Sequence, residues 1–177
     1  MAGLRRFSQA ISEGDGISVI IDVHTADQAR AALERGAEAI VLRGPVNGLA
    51  QATELPALFC GSDSPDEAVE CGADAILLTG LGDEDLPGLH ARALELGLDC
   101  VVEVRDEEQL EQVLELLDPE IFLLVGEDAE AALELLPDVP AGKLAIADGR
   151  GATSDEIAEL ERAGVDAVLV GDAPPAA

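Results

Sequence analysis

Apolar residues along this chain fall into two alternating kinds of segment. One is a short unbroken run, seen at 17–24 (ISVIIDVH), 38–43, 56–60, 74–79, 99–104, 120–125, 143–148 and 166–170. The other carries apolar residues at helical spacing among acids, as in ADQARAALERG, DEEQLEQVLELLD and TSDEIAELERAG. Four phrases join the two kinds: RGAEAIVL at 35–42, CGADAILL at 71–78, LGLDCVV at 96–102 and AGVDAVLV at 163–170. Each reads as the end of a helix, a glycine in the left-handed conformation, and then a strand buried on both faces. The repeating unit is therefore βα, and it yields eight strand candidates.

Alternating strands and helices imply a parallel sheet. Eight buried strands about twenty residues apart favour a closed (β/α)8 barrel, the TIM barrel, over an open doubly wound sheet. An open sheet would also call for a glycine-rich turn after its first strand, where this chain has DVHTAD. The 177 residues read as one domain, 1–177, and as a minimal barrel, since the fold usually takes about 250. Its loops are short, its second helix is squeezed into VNGLAQATEL, and GDAPPAA after the last strand leaves no room for an eighth helix. Residues 3–13 place Leu4, Phe7 and Ile11 on one helical stripe. The expectation is that this N-terminal helix takes the vacant outer place at the seam between strands 8 and 1. A monomer results if it does, and a homo-oligomer through that seam if a second copy covers it.

Composition narrows the function classes. Asp and Glu number 37 against 10 Lys and Arg, a formal net charge of −27, and the pI is near 4.1. Such a surface repels nucleic-acid phosphates and anionic membranes, so neither is an expected partner. With 48% apolar residues and a mean hydropathy of +0.21, the chain is nonetheless too apolar for an acidic disordered tail. No run of eighteen apolar residues is present, and the opening MAGLRRFSQAISEG lacks the apolar centre of a signal peptide. Cys60, Cys71 and Cys100 are odd in number and widely spaced, as free thiols are. The expected compartment is the cytoplasm. The first helical turns are rich in carboxylates, which cap free amides and favour the dipole, and the remaining acidity serves solubility.

The stretches ADAILLTGLGDEDLPGLHARALELGLDCVVEVRDEEQLEQVLEL at 73–116 and LAIADGRGATSDEIAELERAGVDAVLVGDA at 144–173 resemble indole-3-glycerol-phosphate synthase, a (β/α)8 barrel of tryptophan biosynthesis. A weaker likeness in ISVIIDVHTADQARAALERGAEAIVL and PALFCGSDSPDEAVECG keeps the same order. The resemblance implies a carbon–carbon lyase, but few of its site residues carry over. Where the family has Glu-x-Lys and a Ser-Pro-Ser loop, this chain has Asp22, Val23 and His24 and no such loop. Cys60 stands in place of a catalytic lysine. Val125, Gly126 and Glu127 match the family's Asn-Asn-Arg, and Asp148, Gly149 and Arg150 match its Glu-Ser-Gly. Only Glu103 is unchanged in type. The one lysine, Lys143, precedes the seventh strand, on the face opposite a barrel's active-site mouth. Arginine is a poor substitute as a proton donor. No glycine-rich loop and helix follow the last strand to hold a phosphate, and Asp172 would repel one.

On the barrel reading, Asp22, His24, Cys60, Glu103, Asp148 and Asp172 come to the C-terminal ends of strands. Glu103, Asp22 and Asp148 are the candidate acid–base residues, and with His24 they form a candidate divalent-metal site. A divalent metal is the one cofactor this set suggests. Acids make up 37 of 177 residues, however, and composition alone places several at any mouth. His24 also reads as the polar end of a strand, His90 as a surface residue, and Cys60 as an inert thiol unless a base lies nearby. Arg105 and Arg150 either bind an anion or neutralise Glu103 and Asp148. Two readings follow: a minimal synthase-like barrel that has lost that activity and binds a small ligand or a protein, or an enzyme of different chemistry using the carboxylate ring. An active synthase is the third. The sequence names no substrate.

Overall fold

A computed structural model describes residues 6–13, 16–79 and 85–171. Eight parallel strands appear at each expected place: β1 Ser18–Val23, β2 Ala39–Leu42, β3 Ala57–Phe59, β4 Ala75–Leu78, β5 Asp99–Val104, β6 Ile121–Leu124, β7 Leu144–Asp148 and β8 Ala167–Val170. They are hydrogen-bonded in sequence order, and Ser18–Ile21 of β1 pairs with Ala167–Val170 of β8, so the sheet closes into a barrel. The α-helices among the described residues are α1 Arg6–Ser12, α2 Ala26–Glu34, α3 Leu49–Ala52, α4 Pro65–Glu70, α5 Leu86–Glu95, α6 Glu107–Leu116, α7 Ala129–Leu135 and α8 Ser154–Ala163.

The repeated glycine phrase does what its chemistry requires. Gly36 has φ +84° and Gly164 +100°, with Gly72 and Gly97 alike, each ending a helix so that the next strand can turn back into the sheet. At the other end of the units the loops stay short because each supplies its own cap. Thr25, Ser64, Asp106, Asp128 and Thr153 accept a hydrogen bond from the backbone three residues on, and Thr25 and Thr153 complete capping boxes with Gln28 and Glu156.

Strand parity divides the core in two. Outward residues such as Ile40, Leu42, Val102 and Phe122 pack under the helices, while inward residues such as Ile20, Val41, Leu58, Val101 and Ile146 fill the barrel. The lower inner layer contains Ala39, Ala75 and Ala167, which are small and leave space at the N-terminal end of the barrel.

That space decides the position of α1 and overturns the expectation drawn for it. The helix forms, but it lies across the N-terminal end of the barrel and does not take an outer place at the seam. Phe7 and Ile11, 0% and 2% exposed, pack among the inward side chains. The Ser8 N–H donates to buried Asp99 Oδ2 at the start of β5 (3.0 Å), Arg6 bonds Asp74 Oδ1 ahead of β4 (3.1 Å), and Ser18 Oγ donates to the Ile11 carbonyl (3.2 Å). Burying the Phe7 ring in the void left by alanines gains more than laying it on an outer face would. At the seam itself the outward side chains Ile21, Val23, Val168 and Val170 are all buried. There Glu161 of α8 reaches the start of β1, where Oε2 accepts the Ile17 N–H at 3.2 Å. Leu4 and the segment 172–177 lie outside the described residues.

Two of the even strands also carry an acidic staple. Asp74 donates its N–H to the Ala57 carbonyl (2.8 Å) and accepts the Ala57 N–H on Oδ2 (3.0 Å), binding β4 back to β3. Asp166 does the same to Ala145, binding β8 to β7 at 3.0 and 2.8 Å. Burial raises the pKa of Asp166, an effect this hydrogen bond partly offsets. Glu38 faces Val19 in the same position and donates its N–H to the Val19 carbonyl (2.9 Å), yet its longer side chain leaves Oε2 buried with no hydrogen-bond partner among the described residues.

Two outcomes follow. Phe7→Ala costs about 3–5 kcal/mol in urea unfolding, as for a buried aromatic truncated to a cavity; a change below about 1 kcal/mol would contradict α1 as the barrel's plug. Glu38→Asp, which brings the carboxylate to where Asp74 and Asp166 use it, raises stability by about 1 kcal/mol, and a lower thermal midpoint for that variant would show the staple to be incidental.

Candidate functional site

Parity also builds the mouth. Residues two steps beyond the last inner layer point inward at the C-terminal end: Asp22 on β1, Arg43 after β2, Cys60 after β3, Glu103 on β5, Val125 after β6 and Asp148 on β7. Cys60 is partly buried and close enough to Arg43, Asp22, Arg150 and Glu103 for their charges to act on its thiol.

Each inward carboxylate is engaged by an arginine. Asp22 Oδ2 accepts from Arg43 Nη2 and Nε at 3.1 and 3.3 Å. Glu103 Oε2 lies 3.5 Å from Arg105 Nη2. Asp148 receives both Arg150 Nε (2.9 Å) and Nη2 (2.8 Å), a fork on a carboxylate that is only 12% exposed. Burial pushes the Asp148 carboxyl upward, but the hydrogen bonds and charge of Arg150, helped by Arg43, outweigh it and hold the group below the ordinary carboxylate range. Arg150 is correspondingly pushed up, first by its bond to Asp148. The reading in which Arg105 and Arg150 neutralise Glu103 and Asp148 therefore describes the geometry. Arg43 is the mouth residue that sequence reasoning missed. It directly follows AIVL at the inward parity of 39 and 41, which was the signal available.

The candidate metal set is not brought together. Asp22, His24, Glu103 and Asp148 all sit at the C-terminal end, but among the described residues no three His, Cys, Asp or Glu side chains are placed to hold a metal ion. Arginines engage Asp22, Glu103 and Asp148, and His24 is a mostly exposed residue whose Nε2 is 3.9 Å from Asp22 Oδ1. Asp22 Oδ1 is itself buried with no hydrogen-bond partner among the described residues. Burial foremost pushes the Cys60 thiol up to about 12, which disfavours the thiolate that a nucleophile needs. His90 is half-buried in α5, and burial lowers its pKa. Asp172 lies outside the described residues. Lys143 stands just before β7 with Nζ 2.6 Å from Asp118 Oδ1, and it lines a groove with Ser8 and Ser12 of α1. It is at the opposite end of the barrel from the mouth.

A closed (β/α)8 barrel with polar and charged side chains gathered at the C-terminal ends of its strands defines a class whose members place their sites at that face. Within it, residues 63–174 match the model of the family described as Indole-3-glycerol phosphate synthase. An indole-3-glycerol phosphate synthase of Geobacillus sp. (strain WCH70) is 33% identical over 174 residues, covering 85% of this chain and 67% of that protein. Its counterpart in Acidithiobacillus ferrooxidans (strain ATCC 53993 / BNL-5-31) is 37% identical over 115 residues, covering 60% of this chain and 44% of that protein. The chain belongs to the indole-3-glycerol phosphate synthase family, while spanning about two thirds of one of these relatives and under half of the other. Solved structures share the fold at lower identity. The N-acetylmannosamine-6-phosphate 2-epimerase of Clostridium perfringens has a TM-score of 0.71 at 18% identity, covering 89% of this chain and 87% of that one. A mutant tryptophan synthase alpha-subunit of Pyrococcus furiosus reaches 0.66 at 17% identity, covering 88% of this chain and 87% of that one.

Because Arg150 holds the Asp148 pKa down, the pair stabilises the fold above the carboxylate range, and that stabilisation is lost as pH falls through the lowered value. Arg150→Met should therefore raise the Asp148 pKa, since burial is then opposed only by the backbone N–H of residue 150 and by Arg43. Carboxyl-carbon NMR titration reads this directly, and an unmoved Asp148 titration would refute the assignment.

Proposed function

We propose that this chain is a synthase-family barrel that no longer catalyses the ring closure of its relatives and acts as a binding module, with the mouth around Cys60 as its small-ligand site. The observation that carries the reading is the placement of ammonium and guanidinium groups. Ring closure with decarboxylation needs a cationic acid that can give up a proton. The one lysine is bonded to Asp118 at the N-terminal end. The cations at the mouth are arginines, which stay protonated near neutrality and are bound to carboxylates. Where the resemblance implies a third-strand lysine there is a partly buried thiol, which burial foremost pushes up to about 12.

What the mouth retains is suited to recognition. Among the described residues buried Asp22 Oδ1 has no hydrogen-bond partner, and such groups in folded proteins are ordinarily satisfied. A small molecule presenting an N–H or O–H there meets it without breaking the Arg43 bond to Oδ2. Arg43 and Arg150 flank the same space and would hold an anionic group of that molecule.

Incubation with the phosphorylated anilino precursor of indole-3-glycerol phosphate, followed by product fluorescence, tests the reading. The expected result is no indole product above the uncatalysed background and no rescue of a tryptophan-requiring host. Turnover abolished by Glu103→Gln would overturn it.

A further inference from the structure

Among the described residues, the outer layer of the barrel is thin over β3. Helix α3 is a single turn, Leu49–Ala52, beside neighbours of nine and six residues, and β3 beneath it has only three. Helix α3 leans on α2 and α4 leans on α5, which leaves a cleft over the outer face of β3. Its lower part is a cavity of about 790 Å³ with Leu49, Leu55, Ala57 and Val69 among its walls. Its upper part, of about 570 Å³, is bounded by Pro45, Phe59 and Gly61. Glu70 and Cys71 border both, so the cleft is continuous from the N-terminal end to the rim of the mouth.

The rim is acidic and its cations are already engaged. Glu54, Glu67 and Glu70 stand along it. Arg6 is bonded to Asp74, and Arg43 to Asp22. Val69 is 45% exposed on the wall, an apolar side chain turned to water between carboxylates. We propose that this cleft is a docking site for an amphipathic helix of a partner protein, with an aliphatic face over Leu49, Leu55 and Val69 and Lys or Arg on its flanks against Glu54, Glu67 and Glu70. A helix is the occupant that fits, because the cleft is the space a full-length third helix would fill, floored by the outward face of one strand. Basic flanks follow from the rim. A second copy of the chain is disfavoured, since each copy carries a net charge of −27. The site lies outside the mouth, and its test is independent of the binding role assigned there.

Cys71 is the reporter. It is partly exposed in the cleft, as Cys60 is at the mouth, whereas Cys100 is buried, so after a thiol reagent is applied to the native protein the modification at Cys71 is followed separately by peptide mass mapping. The probe is a synthetic helical peptide with a leucine face and lysine flanks, titrated at low and physiological salt. The expected result is one peptide per chain, Cys71 modification slowed at least tenfold, and affinity lowered at least tenfold by Val69→Arg or Glu70→Lys. Both positions are exposed, so neither change disturbs the core. Leu116→Arg, on α6 away from the cleft, leaves affinity unchanged. Equal weakening by all three variants, or unprotected Cys71, would reduce the binding to general attraction by an acidic surface and overturn the proposal. So would a dimer of the free protein that Val69→Arg dissolves, since the occupant would then be a second copy.

Discussion

The pairing of Ser18–Ile21 with Ala167–Val170 is the contact on which this molecule depends. It closes the sheet, and closure removes both edges, so strands of three to six residues can persist where an open sheet of that size would present unpaired amides to solvent. Closure also creates an interior that the chain has to fill. With such short strands the inner layers are few, and the lowest includes the side chains of Ala39, Ala75 and Ala167. A segment from outside the barrel must therefore supply volume, and Phe7 and Ile11 do so. The position of α1 is thus a consequence of minimal strand length.

The same economy shapes the mouth. Carboxylates that point into a barrel lose much of their hydration, and each needs a counter-charge nearby. Arginine meets that need with a planar fork, as Arg150 does for Asp148. The choice has a chemical corollary: a guanidinium that holds a carboxylate in its ionised form neither releases a proton itself nor lets the carboxylate take one near neutrality. Local neutrality at the mouth coexists with a net charge of −27 because the excess acids lie on the exposed faces of the helices, as with Glu107, Glu108 and Glu111 of α6.

Most of the architecture was legible in the chain alone. Continuous apolar runs set off by glycine gave all eight strands in their places, because a parallel strand buried on two faces leaves no polar alternation to confuse with a loop. The N-terminal helix was legible as an element and misjudged in position. Its stripe of Phe7 and Ile11 shows which face is apolar, but what covers that face depends on the small residues of distant strands, which no local pattern displays. At the mouth, the pairings of Glu103 with Arg105 and Asp148 with Arg150 were within reach, as each partner is two residues away. The bond of Arg43 to Asp22 spans two strands and rests on register. The absence of a metal cluster among the described residues has the same origin, since partners that occupy the carboxylates are visible only once the strands are aligned.

The acidic staples carry a further meaning for how such a barrel is put together. Asp74 ties β4 to β3 and Asp166 ties β8 to β7, in each case an even strand to the odd strand before it, and Glu38 stands at the equivalent place ahead of β2. Where the staples form, an acid just ahead of the even strand holds an amide near the start of the odd strand before it. A gene segment copied from the start of an odd strand to the end of the following even one would bring its staple with it. In the two pairs that carry it, β3–β4 and β7–β8, the smallest piece that keeps this bond is the strand pair with its connecting helix, and a single βα step is too short to hold it.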